Sequence, residues 1–294
     1  MDRVTSLRVF RAVVEEGAFA GAARRLGLST SMVSKHVAAL ESDLATRLLH
    51  RTTRSLGLTP EGQVFLARSS AILDELDELE RELREGRDTP RGLLRITAPV
   101  SYGIARVAPV LPAFLDAHPD VRVDLSLTDR VVDVVDEGVD VAIRVVRSLA
   151  DSTLIAQRLA PMPRVLVGAP SYFERHGRPQ TPAELGQHAC LRYTGLRDPD
   201  TWTFAGPDGE VSVRVDGRLT LDNSLALRDA AVAGTGLLLT PLFVVDDLLQ
   251  NGSLASCLDA WVPETAAVYG VYPARRHLSP KLRAFLAFAK LHLR

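Results

Sequence analysis

The chain has 294 residues, 46% hydrophobic and 24% charged, which is enough for two or three globular domains with ample core. Its net charge of −1 argues against a general polyanion binder, yet the charge is unevenly placed: nine Lys/Arg against five Asp/Glu in 1–58, four against eight in 59–87, and 22 against 23 in the remainder. A basic head before an acidic segment suits contact with nucleic acid at one end only. Two distant cysteines, Cys190 and Cys257, exclude a disulfide framework and a CxxC metal pattern. The absence of an apolar leader, or of a run of about 20 apolar residues, leads us to expect a soluble cytoplasmic protein without a membrane partner.

Leu7, Phe10, Val13 and Val14 predict an amphipathic helix ending near Gly17. Phe19, Ala22, Ala23 and Leu26 predict a short second helix, closed by Gly27 into a tight turn. A third helix follows at once, with Ser29 as N-cap and Val33, Val37 and Leu40 as its apolar stripe. The capping-box partner is missing, because Met32 stands three residues after Ser29. Two helices joined by a short Gly-containing turn read as a helix-turn-helix. Thr30, Ser31, Ser34 and Lys35 lie mostly off the stripe, where small hydroxyls reach phosphates or base edges. With Ser29 they are the candidate DNA contacts. Arg24 and Arg25 point away from the helix crossing and suit either phosphate contact or a solvated surface.

Residues 48–58 place a polar, basic stretch between apolar anchors, which reads as a hairpin wing. Arg51, Thr53 and Arg54 are its candidates for backbone or minor-groove contact. Thr59-Pro60-Glu61 then starts a helix predicted to run to about Glu85 or Gly86. Phe65, Ser69, Ile72, Leu76, Leu79 and Leu83 alternate in steps of four and three, a coiled-coil seam spoiled by Ser69. Phe65, Ile72, Leu76, Leu79 and Leu83 are therefore read as a dimerisation surface. Gly86 through Gly92 forms a hinge-like linker.

From Leu93 the pattern alternates strand and helix. Strands are predicted at 93–98, 121–127 and 139–144, with helices at 102–117 and 131–137 between them. This order implies βαβ crossovers and a mainly parallel sheet, whose ligands bind beyond the strands' carboxyl ends. A second α/β set begins at Arg164, with strands at 190–193, 219–221 and 237–240, a hairpin around 206–209 and a helix at 224–233. A strand at 267–272 and a helix at 280–293 are expected to rejoin the first set, giving two lobes with a cleft between them.

The chain resembles the LysR-type transcriptional regulators over its whole length. The resemblance rests on Phe10 with Ala12-Val13-Val14, Gly17 with Phe19, Ala22-Ala23-Arg24-Arg25-Leu26, Leu28-Ser29, Val33-Ser34-Lys35, Leu40-Glu41 and Leu58-Thr59-Pro60-Glu61-Gly62. It continues through Thr97-Ala98-Pro99-Val100-Ser101, Gly138 with Asp140, and Gly234-Thr235-Gly236. It implies an α/β chain in three parts: a winged helix-turn-helix at 1–58, a linker and dimerisation helix at 59–87, and a two-lobed effector domain at 88–294, similar to type 2 periplasmic binding proteins. Lobe I would take about 91–162 and 267–294, and lobe II about 163–266. The resemblance further implies a homodimer or tetramer on an interrupted palindrome near a promoter, a small effector and contact with RNA polymerase. Two departures stand out: Ala18 and Ala20 replace a usual hydroxyl at the second helix, and the Gly often seen near position 45 is absent.

Ser101 and Thr128 match the family's positions for a small, anionic effector. Ser101 suits either a carboxylate contact or a plain N-cap. Arg144 suits either an anion or an internal ion pair. Tyr102, Tyr193, Trp202 and Asn223 are candidate pocket walls. Both cysteines lack the basic surroundings of a reactive thiolate. The seven His make no metal pair, and Gly234-Thr235-Gly236 precedes a strand rather than a helix. No enzyme, metal or cofactor is expected. The competing reading, a solute-binding module with an unrelated N-terminus, calls for a leader or a catalytic cluster.

Overall fold

The computed structural model describes residues 2–51, 56–85, 89–146, 154–195, 198–206, 209–261, 266–274 and 278–293, and the side chains of these except those of 51, 75 and 78–85. Three helices open the chain: α1 (Arg3–Glu16), α2 (Phe19–Leu26) and α3 (Thr30–Asp43). Val9, Phe10, Val13, Ala22, Val33 and Val37 are all fully buried where the three meet, and the small Ala22 permits the close crossing. Gly17 and Gly27 end α1 and α2 in the left-handed conformation that favours glycine. Ala18 caps α2 without a side-chain hydrogen bond, which is the loss implied by the missing hydroxyl.

The wing is an antiparallel pair, β1 (Leu49–Arg51) and β2 (Leu56–Leu58). The Glu41 carboxylate accepts from the Leu48 and Leu49 amides at 2.9 and 3.2 Å, so the end of α3 fixes where the wing begins. Helix α4 (Pro60–Glu85) is capped by Thr59, whose hydroxyl accepts from the Gly62 amide and donates to Arg47 O.

The face of α4 differs from the expected seam. Phe65 packs edge-on against Phe10, ring centres 5.5 Å apart, so it completes the helix-turn-helix core. Ser69, Ser70 and Leu73 are buried on the chain's own domains, while Ile72 is 58% exposed and Leu76 half-buried. The spoiled seam position, Ser69, thus faces inward. The side chains of Leu79 and Leu83 lie outside the described residues.

Lobe I starts with β3 (Gly92–Ala98), then α5 (Val100–Tyr102), a wider helical turn at Gly103–Val107, α6 (Ala108–Ala117), β4 (Val121–Leu127), β5 (Val141–Val146) and β6 (Leu154–Met162). Lobe II contains β7 (Arg164–Gly168), α7 (Pro170–His176), β8 (Cys190–Tyr193), β9 (Thr201–Gly206), β10 (Gly209–Arg214), β11 (Thr220–Leu221), α8 (Ser224–Val232), β12 (Leu237–Pro241), α9 (Asp246–Gln250) and β13 (Ala255–Cys257). The chain then returns through β14 (Ala266–Pro273) and α10 (Pro280–His292).

The lobe I sheet has the order β4-β3-β5-β14-β6 and the lobe II sheet β11-β8-β12-β7-β13. Both are mixed rather than mainly parallel. β3 runs parallel to β4 and β5, but β14 is antiparallel to β5 and β6; β7 is antiparallel to β12 and β13. The antiparallel strands β6, β7, β13 and β14 flank the two crossings between lobes.

The expected helix at 131–137 is a series of turns. The Asp133 carboxylate accepts from the Val135 and Asp136 amides at 2.9 Å, a local bond that competes with helix formation among β-branched valines. Strand β6 and the short β13 escaped the sequence reading.

Candidate DNA interface and effector cleft

Burial of Val33, Val37 and Leu40 turns the opposite side of α3 outward. Ser29, Thr30, Ser31 and Lys35 are exposed and Ser34 is half-buried. Ser29 is partly committed, since its hydroxyl accepts from the Met32 amide at 3.2 Å and shares a hydrogen bond with Ser31 at 3.0 Å. Lys35 and Arg24 have no ion-pair partner among the described residues, so both cations are available to phosphates. Arg25 is held by Glu15 at 2.5 Å and Glu16 at 3.4 Å, which makes it a tie between α2 and α1. The backbone of Arg51 pairs with Leu56 in the wing; Thr53 and Arg54 lie outside the described residues.

One functional anchor was missed in the sequence. His36 is 5% exposed and its Nδ1 lies 2.8 Å from the Ser6 hydroxyl, which fixes the recognition helix against α1. Its place three residues after Val33, on the buried stripe, was the available signal.

The effector half joins the DNA-binding half through ion pairs on α4. The Asp74 carboxylate accepts from Arg11 of α1 and from Arg95 of β3, each at 2.7 Å. Arg8 pairs with Asp77 at 2.6 Å, and Arg68 pairs with Asp136. One helix is therefore clamped to α1 on one side and to lobe I on the other.

Between the lobes, Tyr102 and Phe243 meet edge-on at 5.1 Å, and Arg106 pairs with Asp246. The predicted cleft residues sort unevenly. Ser101 is 8% exposed, and its hydroxyl has no partner among the described residues. Asn223 caps α8, accepting from the Leu225 and Ala226 amides at 3.0 and 3.2 Å. Tyr102 belongs to the lobe I core: it is 2% exposed, donates to Leu293 O at 2.9 Å, and burial pushes its phenol well up. Trp202 is buried in the lobe II core. Arg144 takes the internal option in another form, donating to Val132 O at 3.0 Å. Its burial lowers its pKa, opposed by Glu137. Thr128 accepts from the Arg130 amide and lines a cavity beneath α4.

Sequence reading also missed what fills the start of α5. Asp129 accepts from the Val100 amide at 3.1 Å, so a protein carboxylate already occupies the N-terminus of α5. Tyr193, at the end of β8, has its pKa raised by burial first, then by Asp129 of lobe I and Asp222 of lobe II. Those groups converge from both lobes on one phenol. Cys190 and Cys257 are buried, and their thiols are pushed up to about 12. Among the described residues there is no metal-binding cluster, and no helix is long and apolar enough to cross a membrane.

Residues 4–63 match the family of bacterial regulatory helix-turn-helix proteins of the lysR type, and residues 87–294 match the LysR substrate binding domain. An HTH-type transcriptional regulator of Xanthomonas campestris pv. campestris (strain 8004) is 35% identical over 95% of this chain and 82% of its own length. The full-length Vibrio cholerae virulence activator AphB is 28% identical, covers all of both chains and superposes with a TM-score of 0.62. CrgA of Neisseria meningitidis, a LysR-type regulator, is 30% identical over 98% of both chains, with a TM-score of 0.63. These relatives are regulators of transcription and not enzymes. With a DNA-binding helix-turn-helix at its start and an effector-binding domain over the rest, the chain belongs to the LysR family of bacterial transcriptional regulators.

Proposed function

We propose that this regulator acts in the cytoplasm as a homodimer or tetramer on an interrupted two-fold DNA site near a promoter, with one α3 helix in each of two successive major grooves. The observation that carries the reading is the first two turns of α3, where Thr30, Ser31 and Lys35 stand exposed over a stripe held by Val33, Val37 and Leu40. Arg24 and the wing residues Arg51, Thr53 and Arg54 contact the flanking backbone. Dimerisation uses α4 through the exposed Ile72 and the half-buried Leu76, continued along the heptad spacing by Leu79 and Leu83; Phe65 is spent on its own domain. A small molecule between the lobes changes their closure and with it the spacing of the DNA-binding halves and the approach to RNA polymerase. It does so only by binding one state more tightly than the other.

The cleft supports an effector that donates hydrogen bonds or carries a protonated amine. Both helix N-termini offered there are filled by Asp129 and Asn223, Arg144 is turned to Val132 O, and Asp129 and Asp222 set a negative field. That is the reverse of the anionic effector implied by the resemblance. Footprinting on the DNA upstream of its own gene tests the DNA reading. We expect protected half-sites about one helical turn apart, lost in a Ser34→Ala/Lys35→Ala variant. Uniform protection, equal in the variant, would overturn it.

A further inference from the structure

The large apolar side chains of the recognition helix and its flanking turns are spent on the helix-turn-helix core. Leu26, Leu28, Val33, Val37, Leu40 and Leu44 are buried in it or pack on its edge. Met32 is the exception. It lies in the first turn of α3, outside that core, and is 39% exposed. Its amide donates to the Ser29 hydroxyl at 3.2 Å, so the backbone beneath the side chain is fixed at the helix start.

Met32 shares the outward surface of α3 with Thr30, Ser31, Ser34, Lys35 and Ala38. Only Met32 and Lys35 are long, and the short side chains beside them let the helix come close to the floor of a groove. A single exposed apolar residue is ordinary on a protein surface. This one stands on the surface assigned to the duplex, where covering it removes apolar area from water if the groove offers an apolar partner. The major groove presents polar atoms at every base pair and one apolar group, the C5 methyl of thymine. An unbranched thioether with three rotatable bonds is suited to reach and cover it.

We propose that Met32 is a specificity-determining residue of the recognition helix, packing on the C5 methyl of one thymine in each half-site. The inference rests on the reading that α3 enters the major groove. Cytosine lacks the methyl and presents an amino group in the groove, so Met32 disfavours it at that position. Lys35 and the neighbouring hydroxyls are left to phosphates and polar base edges, and Met32 reads what they do not.

The test is fluorescence-anisotropy titration of the full-length protein, at fixed salt, on duplexes of the DNA upstream of its own gene. Each thymine is replaced in turn by deoxyuridine, which removes the methyl and keeps the base pair. We expect one thymine per half-site whose replacement weakens wild-type binding about fourfold, as the loss of one methyl contact requires. In Met32→Ala the same replacement should change nothing, while Met32→Leu, apolar and of similar size, should keep the discrimination. Because Met32 lies outside the core, Met32→Ala should also keep the wild-type urea midpoint, which separates a lost contact from a lost fold. Selective binding with no thymine sensitive to its methyl would overturn the Met32 contact and leave α3 as the reading helix. So would a sensitive thymine that stays equally sensitive in Met32→Ala. Absence of selective binding to any duplex would overturn both the contact and the reading on which it rests.

Discussion

Asp74 is the residue whose removal most directly tests how the two halves are joined. Its carboxylate accepts from Arg11 and Arg95 at 2.7 Å, and all three side chains are between 21% and 25% exposed. Charge-assisted hydrogen bonds contribute about 1.5–3 kcal/mol each when shielded, but partial exposure and desolvation reduce this toward the surface value of about 1 kcal/mol or less. In Asp74→Ala, Arg11 retains Asp77 at 4.0 Å, whereas Arg95 loses its carboxylate on α4. The two bonds together therefore account for about 2 kcal/mol of docking, a factor of about 30 in the opening equilibrium. Native-state amide exchange of α4 reads this opening directly. We expect exchange over 62–77 to quicken about thirtyfold, with protection in lobe II unchanged. A double-mutant cycle with Arg95→Ala should return a coupling of about 1 kcal/mol. Unaltered α4 exchange and zero coupling would refute the clamp.

Other consequences follow from single positions. Ala45 adopts φ 49°, a conformation that costs a non-glycine residue about 1–2 kcal/mol; glycine's greater freedom when unfolded offsets about half, so Ala45→Gly should raise stability by about 0.5–1 kcal/mol in urea unfolding. A Cβ on Gly62 would lie 2.0 Å from Leu48 O, so Gly62→Ala should displace the wing, cost about 1–3 kcal/mol and weaken DNA binding in a gel-shift. Burial first, then the charges of Cys257 and Asp216, raise the Cys190 thiol to about 12, and burial does the same for Cys257. Neither should react with a disulfide reagent at pH 8 until the protein unfolds. Their folded pKa values lie above the ordinary 9.0, so the folded state keeps protons that the unfolded chain releases. That stabilisation is intact below pH 9 and is lost as pH rises toward 12, so the urea midpoint should fall across that window; a midpoint rising there would contradict the assignment.

Local patterns carried the DNA-binding half. The Val33–Val37–Leu40 stripe, the Ser29 cap and the Thr59-Pro60-Glu61 start each depend on neighbours within one or two turns, and the structure holds them where periodicity put them. The α4 seam was harder because its periodicity records burial without naming the partner. Phe65 turned to Phe10 and Ser69 turned inward, so one stripe serves two surfaces. The turns at 131–137 arise from the Asp133 side chain competing with the backbone, which apolar spacing does not register. The cleft was least legible. Asp129 reaches the Val100 amide across 29 positions of sequence, and Arg144 is drawn to Val132 O, so the expected anion contacts depend on long-range geometry.

If α3 reads DNA, a gel-shift of the purified protein on the DNA upstream of its own gene, at fixed salt and against random competitor, shows it. We expect saturable, sequence-selective binding that disappears in Ser34→Ala/Lys35→Ala while the variant keeps its fold. Binding no tighter than to random DNA, with the variant indistinguishable from wild type, would contradict it.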